Sequence, residues 1–311
     1  MNCLQPEIVN KVAELFAAYQ GIIPDYAAFC RRVCQPLPLY LRINTLKTTV
    51  GAARSRLEQR GVLLEPVAEL AFLFKAAGVE QPGHLFEFAL GHIHSQTYTS
   101  ALAAVVLEAA AGHVVLDLCA SPGSKTTLLA QLMGNRGLIV ANDKSTARLV
   151  ALRSNLKRLG VANTITTRYG GQHFPGRCKF DRILVDVPCS AEGSLRLTST
   201  GKLPRRQRRI SRLPSLQKQL LVRAFDLLKP QGILLYSTCT YNPDENESVV
   251  QFLLENRPAV ILPIRLAVPH APGLSCWRAL NYETSLKECW RFYPHQVDSV
   301  GFFMAKIAPR C

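Results

Sequence analysis

The sequence is short of acid. Lysine and arginine number 37 against 22 aspartate and glutamate residues, a formal net charge of +15 over 311 residues. That deficit points to a polyanionic partner, because basic side chains that neutralise phosphates release condensed counterions. Nucleic acid comes first and an anionic membrane surface second. The chain also lacks a long apolar run: the stretch around Ala101 to Leu107 stops at Glu108, too short to cross a bilayer. No basic, apolar and small-residue succession opens it, so a cytoplasmic location without membrane insertion is expected. None of the ten cysteines falls in a CxxC pair or in a Cys/His zinc spacing, so neither a metal nor a disulfide framework is expected. Two nucleotide loops are missing as well. GxGxxG is absent, and Ser124 separates Gly123 from Lys125 where a Walker A loop needs them adjacent, which argues against an ATPase.

What is present is 48% apolar, enough for one large domain and a smaller one. Residues 7–60 hold helical patterns around an extended PLYLRINTLKTT, and Val67 to His94 mixes short apolar runs with Gly and Pro. This reads as an α+β module over residues 1–95. From Gln96 onward, strands (VVLDL, LIVAND, the run near Ile165, RILVDV, GILLYST, GFFMAKI) alternate with helical stretches. That alternation predicts a doubly wound, Rossmann-like α/β sheet over residues 96–311. No internal repeat or low-complexity linker interrupts it.

Two of the strands end in a thiol: RILVDVPC at Cys189 and GILLYSTC at Cys239. Open α/β sheets place ligands at the carboxyl ends of their strands. If the two strands are neighbours, their backbones run about 4.8 Å apart and both sulfurs face one pocket. A free cysteine usually packs as a small hydrophobe, and Cys3, Cys30, Cys34, Cys119, Cys178, Cys276, Cys289 and Cys311 are read that way. The polar, turn-rich surroundings of Cys189 and Cys239 move those two toward reactivity.

The first strand of the large domain runs into DLCASPGSKTT. Gly123 allows close backbone approach, and the free amide groups of the helix it opens favour an anionic ligand. The second strand ends in Asn142-Asp143, about twenty-five residues on, where doubly wound domains place a carboxylate on a ribose hydroxyl. A strand-end Asp is also commonly a helix cap.

Together, RINTLKTT, CASPGSKTT, Asp143, DVPCSAEGSLR, KPQGILLYSTCTYNPDENE and RFYPHQVDSVGFFMAKI resemble the Fmu/Sun family of RNA (cytosine-5) methyltransferases, and the loop resembles the subgroup acting on small-subunit ribosomal RNA. The resemblance implies S-adenosylmethionine over Cys119, Ala120, Ser121, Pro122, Gly123, Ser124 and Lys125, with Asp143 on its ribose. It implies Cys239 as the nucleophile, Cys189 as the thiol assisting release, and Asp186 at the flipped base or the cofactor. A monomeric protein acting on RNA, with no membrane partner, is expected. Gly170 stands in RYGGQHFP where relatives usually carry an acid, and Ala191 where the PCS motif usually has glycine; the former puts the adenine end of the cofactor site in question. Gln231 and Val300 are milder departures.

RNA contacts are expected from LPRRQRRISR, through Arg205, Arg206, Arg208 and Arg209, and from Lys47 with Arg42. Tyr236, Tyr241, Phe292 and Tyr293 are candidates for base stacking, though strand aromatics are more often core; His295 is read chiefly as a structural histidine. Three rivals stay open: a transfer RNA enzyme, a DNA cytosine-5 methyltransferase with Cys189 as nucleophile, and a non-catalytic ribosome-assembly factor.

Overall fold

The computed structural model describes residues 6–196 and 212–310. Helices α1 (Pro6–Leu15) and α2 (Tyr26–Val33) lead into β1 (Leu39–Ile43), α3 (Val50–Gln59), β2 (Leu63–Pro66), β3 (Leu73–Ala77), α4 (Phe86–Ala89) and β4 (Ile93–Ser95). The four strands form an antiparallel sheet in the order β2-β3-β1-β4. One face of β1 carries Leu41 and Ile43, which bury against Ala53 and Leu57 of α3. The first two helices pack elsewhere: Val12, Phe16, Phe29 and Val33 cluster with Tyr241 and Tyr293 of the larger sheet's loops.

The larger sheet alternates as its pattern predicts: α5 (Tyr98–Val106), β5 (Val114–Asp117), α6 (Ser124–Leu132), β6 (Leu138–Asn142), α7 (Thr146–Leu159), β7 (Thr164–Thr167), β8 (Phe180–Asp186), α8 (Leu213–Asp226), β9 (Leu228–Thr238) and α9 (Glu247–Asn256). Strands β9, β8, β5, β6 and β7 lie side by side and parallel. Successive residues of the central strands serve opposite faces. Val115, Leu184 and Leu235 join one apolar cluster, while Leu116, Ile183 and Leu234 join the other, as burial on both faces of a parallel sheet requires.

Beyond α9 the chain departs from pure parallel winding. After β10 (Ala259–Leu262), β11 (Ala271–Pro272), a hairpin of β12 (Cys276–Trp277) and β13 (Leu280–Asn281), β14 (Trp290–Phe292) and α10 (Pro294–Val297) comes β15 (Phe302–Pro309). It pairs antiparallel with β9, and β10 and β14 pair antiparallel with it. The doubly wound sheet therefore carries an antiparallel flank.

A buried arginine joins the two sheets. Arg42 of β1, with no exposed surface, donates to Gln96 Oε1 (2.8 Å), the Ser124 carbonyl (2.9 Å) and Thr127 Oγ1 (2.9 Å). Beside it, His94 Nε2 meets Ser124 Oγ and Arg158 Nη2 meets His94 Nδ1, both at 2.9 Å. Arginine only donates, so Nδ1 accepts and Nε2 carries the proton toward Ser124. Burial and the charges of Arg42 and Arg158 push the His94 pKa down to about 3. Lys47 Nζ donates to the carbonyls of Leu90 (2.9 Å) and Arg158 (2.8 Å). The expectation that Arg42 touches RNA is corrected accordingly. Arg42 is sealed inside the junction, whereas Lys47 stays exposed with its ammonium on one carbonyl from each side of it.

Replacing Arg42 with leucine strands three acceptors in a dry junction, at roughly 1 to 3 kcal/mol each when unsatisfied. Arg42→Leu is expected to lower unfolding stability by at least about 3 kcal/mol. An unchanged denaturant midpoint would show that the junction is not held by this side chain.

Candidate active site

The two thiols meet. Parallel pairing sets Asp186 of β8 against Ser237 of β9, and the Val187 amide donates to the Ser237 carbonyl (3.2 Å). Three residues past Asp186 and two past Ser237, the Cys189 and Cys239 sulfurs lie 3.3 Å apart, and the Cys239 amide donates to Cys189 Sγ at 3.4 Å. The loops are stitched further on: Gly193 N–H donates to the Cys239 carbonyl and Gly301 N–H to the Gly193 carbonyl, both at 2.9 Å. Only glycine fits at 193, since a Cβ there would collide with the Gly301 carbonyl.

Donation from one sulfur to the other splits the pair. The S–H of Cys189, donating to Cys239, holds the Cys239 thiol below its ordinary value, helped by nearby Lys125 and opposed by burial. That same bond, with burial, pushes Cys189 well up. Asp186 is fixed at both oxygens, accepting from Lys125 Nζ (2.7 Å) and Ser237 Oγ (2.8 Å). Burial opposes the Lys125 charge, but the Asp186 carboxylate outweighs it and keeps the ammonium above its usual value.

The sequence-predicted loop curls beside this pair. Gly123 takes a left-handed φ of 103° at the start of α6, and a Cβ on it would lie 2.7 Å from Leu152 Cδ1. A cavity of about 240 Å³ is lined by Cys119, Ser121, Asn142, Asp143, Lys144, Arg148, Tyr169, Gln172, Asp186, Cys189 and Cys239 among others. A smaller one of about 40 Å³ lies against Asp117, Cys119, Ala120, Ser121, Pro122, Ser124, Lys125 and Asp186. Asp143, buried at the end of β6, accepts from the Ser145 amide (2.9 Å) and faces Arg148 at 3.5 Å. Asp143 is thus cavity wall, while the cap of α7 is Ser145, whose Oγ accepts from the Arg148 amide at 3.4 Å. No cluster of metal-ligating side chains occurs among the described residues.

Residues 104–308 match the family described as 16S rRNA methyltransferase RsmB/F. The chain belongs to that family. It is 36% identical over 312 residues to the tRNA (cytosine(49)-C(5))-methyltransferase of Pyrococcus abyssi, covering 97% of each chain. It is 35% identical over 308 residues to the 25S rRNA (cytosine-C(5))-methyltransferase nop2 of Schizosaccharomyces pombe, covering 96% of this chain and 50% of that one. The chain therefore spans about half the length of the fission-yeast relative and nearly all of the archaeal one. The crystal structure of a methyltransferase homolog protein from Pyrococcus horikoshii shares the fold with a TM-score of 0.85 at 33% identity, covering 98% of this chain and 100% of that one.

Within the RsmB/F family this chain has its own features. Where the resemblance calls for an acid, Gly170 has ordinary backbone at φ −60°, and a Cβ there would stand 3.3 Å from Gln172 Oε1. The Gln172 amide lies on the cavity wall and makes no hydrogen bond among the described residues. Ala191 does need a positive φ, 56°, a conformation that costs an L-residue roughly 1 to 2 kcal/mol. Its replacement of glycine is a strained substitution.

Tyr236, Tyr241, Phe292 and Tyr293 are all buried in the core, so the stacking expectation gives way to the structural one. His295 packs against the rings of Phe29 and Tyr293. Arg205, Arg206, Arg208 and Arg209 lie outside the described residues. Sequence reasoning missed the supports of the Cys189 loop: Glu245 Oε2 accepts from the Ser190 amide (3.0 Å) and from Gln217 Nε2 (2.9 Å), which also donates to the Pro188 carbonyl. The PDENE run after Cys239 was the available signal. Asp117 was missed too. Thr126 Oγ1 donates to its Oδ2 (2.7 Å), while its Oδ1, buried, has no partner among the described residues.

Burial pushes the Asp117 pKa up to about 7, the Thr126 hydrogen bond opposing it. With the folded pKa above the unfolded value of about 3.9, the native state holds the proton longer. Stability from this group is therefore full below about pH 4 and falls as pH rises through about 7. Removing the charge removes the loss: Asp117→Asn is expected to flatten stability over that window and to gain a few kcal/mol over wild type at pH 8. Parallel pH profiles for the two proteins, from denaturant unfolding, would contradict this.

Proposed function

We propose that this protein transfers a methyl group from S-adenosylmethionine to carbon 5 of a cytidine in RNA through a covalent adduct with Cys239. Small-subunit ribosomal RNA is the favoured target class. The observation that carries the reading is the pair of sulfurs 3.3 Å apart at adjacent strand ends, opening on a cavity that Asp143 and the glycine loop also line. Family membership makes the target RNA, and the 16S description favours the small subunit. Transfer RNA is the second reading, favoured by the Pyrococcus abyssi relative of matching length.

The residues present fit the cofactor. The unpartnered Asp117 Oδ1 beside the smaller cavity offers an acceptor for an ammonium group, Asp143 is placed for the ribose, and Cys119 to Lys125 form the floor. When bound, S-adenosylmethionine supplies an electrophilic methyl group. Carbon 5 of cytosine is too weak a nucleophile to take it unaided. Addition of the Cys239 thiolate to carbon 6 makes carbon 5 enamine-like and splits one hard step into two easier ones. Loss of the carbon 5 proton then expels Cys239 and restores the ring. Cys189 sits beside the sulfur to be expelled, so we assign it to release, and Asp186, fixed by Lys125 and Ser237, to orienting the base. A DNA-type assignment with Cys189 as nucleophile requires the opposite split of the thiols. The non-catalytic alternative leaves the paired thiols without a role. The small amino-terminal module, through its exposed Lys47, and Arg205, Arg206, Arg208 and Arg209 are assigned to RNA contact, and the reading keeps a cytoplasmic single chain.

Cys239→Ala is expected to abolish methylation while RNA affinity stays within a few-fold, and Cys189→Ala to accumulate a protein–RNA adduct on denaturing gels. Adducts in Cys239→Ala alone would reverse the assignment.

Gln172 fills the space that an acid at 170 would enter. In Gly170→Asp the glutamine must first give way, so S-adenosylmethionine affinity is expected to rise less in that single variant than in Gly170→Asp/Gln172→Ala. The double variant gains about tenfold or more, one hydrogen bond to a charged group being worth roughly 1.5 to 3 kcal/mol. Calorimetric titration of both decides it, and equal affinities would mean that Gln172 does not occupy the adenine side.

A further inference from the structure

We infer that the outer face of α7 and the strand beside it form a second RNA-contact surface, one that grips phosphates away from the reacting base. This rests on the RNA reading above and adds a surface to it. From Lys144 to Phe180 the chain contains no acid at all and eight basic residues, Lys144, Arg148, Arg153, Lys157, Arg158, Arg168, Arg177 and Lys179. More than half of the net charge of +15 thus sits in one short segment. All but Arg158 are exposed.

The fold arranges part of this charge in a line. Helix α7 buries Leu149, Leu152, Leu156 and Leu159, which turns Thr146, Val150, Arg153 and Lys157 to the opposite side, at the three- and four-residue spacing of a single stripe. Arg168 Nη1 donates to Thr146 Oγ1 (3.0 Å), and Arg153 Nε to Thr166 Oγ1 (3.1 Å). Both contacts tie β7, which closes this edge of the sheet, to the stripe. With 14 residues in α7, the stripe runs about 20 Å away from the cavity rim at Lys144 and Arg148. Among the described residues none of Arg153, Lys157 and Arg168 has an acidic partner; the hydroxyl contacts fix two of the guanidinium stems and leave their charge unneutralised.

A solvated helix face of the ordinary kind mixes signs, because like charges four residues apart cost a few tenths of a kcal/mol. This stripe keeps Arg153 and Lys157 at that spacing with no acid between or beside them. A polyanion supplies the missing counter-charge. The exposed aliphatic side chains are Val150 on the helix and Ile165 on the strand, two isolated residues that give a membrane little to bury, whereas a phosphate backbone needs only the charges. A stem of the substrate RNA, lying along α7 while the target base enters the cavity at its amino-terminal end, meets both requirements.

The test uses the full chain with R153Q/K157Q/R168Q and, as the charge-keeping control, R153K/R168K. S-adenosylmethionine affinity and unfolding midpoint serve as controls for folding. With an unmodified small-subunit ribosomal RNA transcript at about 0.1 M salt, the neutral triple variant is expected to bind on the order of tenfold more weakly. Its log K against log salt slope should be shallower by about 2, and KM raised with kcat nearly unchanged, while the lysine variant binds like wild type. Unchanged affinity and slope in the triple variant, with wild type methylating the transcript, overturn the surface and leave the proposed function standing. Loss of binding to anionic phosphatidylserine vesicles but not to RNA assigns the stripe to a membrane and overturns it too. A wild type that binds and methylates no RNA removes both.

Discussion

Everything chemical in this molecule depends on the register between β8 and β9. Side chains alternate faces along a strand, so a slip of one residue sends each strand-end group to the opposite side. With Asp186 opposite Ser237, the carboxylate, the hydroxyl that holds it and the two sulfurs all reach one side of the sheet edge. The register is guarded beyond the last ladder bond: the Gly193 amide grips the Cys239 carbonyl, and the Gly193 carbonyl takes the Gly301 amide. Two loops fifty residues apart and the turn leading into β15 are thereby joined by main-chain bonds, which no side-chain substitution removes directly.

The amino-terminal region buttresses the site from two directions. Arg42 and His94 reach from the small sheet to Ser124, inside the loop that floors the cavity. On the other side, Phe16 and Phe29 meet the ring of Tyr241 edge-on, at centroid distances of 5.7 and 5.3 Å, two residues beyond Cys239. A displacement of this region shifts the Cys119 to Lys125 loop and the Cys239 loop together. Buried ion networks are poor sources of net stability, and fixing one arrangement is their better-attested use. Here the arrangement fixed is the position of a glycine-bent loop relative to a thiol.

What was legible in the sequence, and what was not, divides along the same lines. The strands ending at Cys189 and Cys239 could be read because continuous apolar runs report burial on both faces, and their ends report where a sheet meets its ligand. Arg42 could not. It was read as an RNA contact because a basic residue in YLRIN shows nothing of its cover, which is α6, some eighty residues away in the chain. The aromatics near Cys239 misled in the reverse sense, since an aromatic packed into a core and one waiting for a base look alike in a strand. The antiparallel flank was hidden because a strand's direction leaves no mark on its residue pattern. Gly170 was visible as a departure, but that the Gln172 side chain lies against it is set by the folded turn.

The carboxylates around the site are withdrawn from solvent. Asp117, Asp143 and Glu245 are buried around the site, with Asp186 half-buried between them, while seven of the eight basic residues of the Lys144 to Phe180 segment are exposed. Those carboxylates share the cavity walls with Lys125, Lys144 and Arg148, and Lys125 pairs with Asp186, so the cavity is lined by both signs while the exposed segment carries one. On the function proposed above, the base that reaches Cys239 leaves its stack at a few kcal/mol, least where it is already unpaired. The phosphates that stay outside are what the exposed arginines and lysines can hold, so the contacts that anchor the RNA offset the unstacking that the chemistry requires.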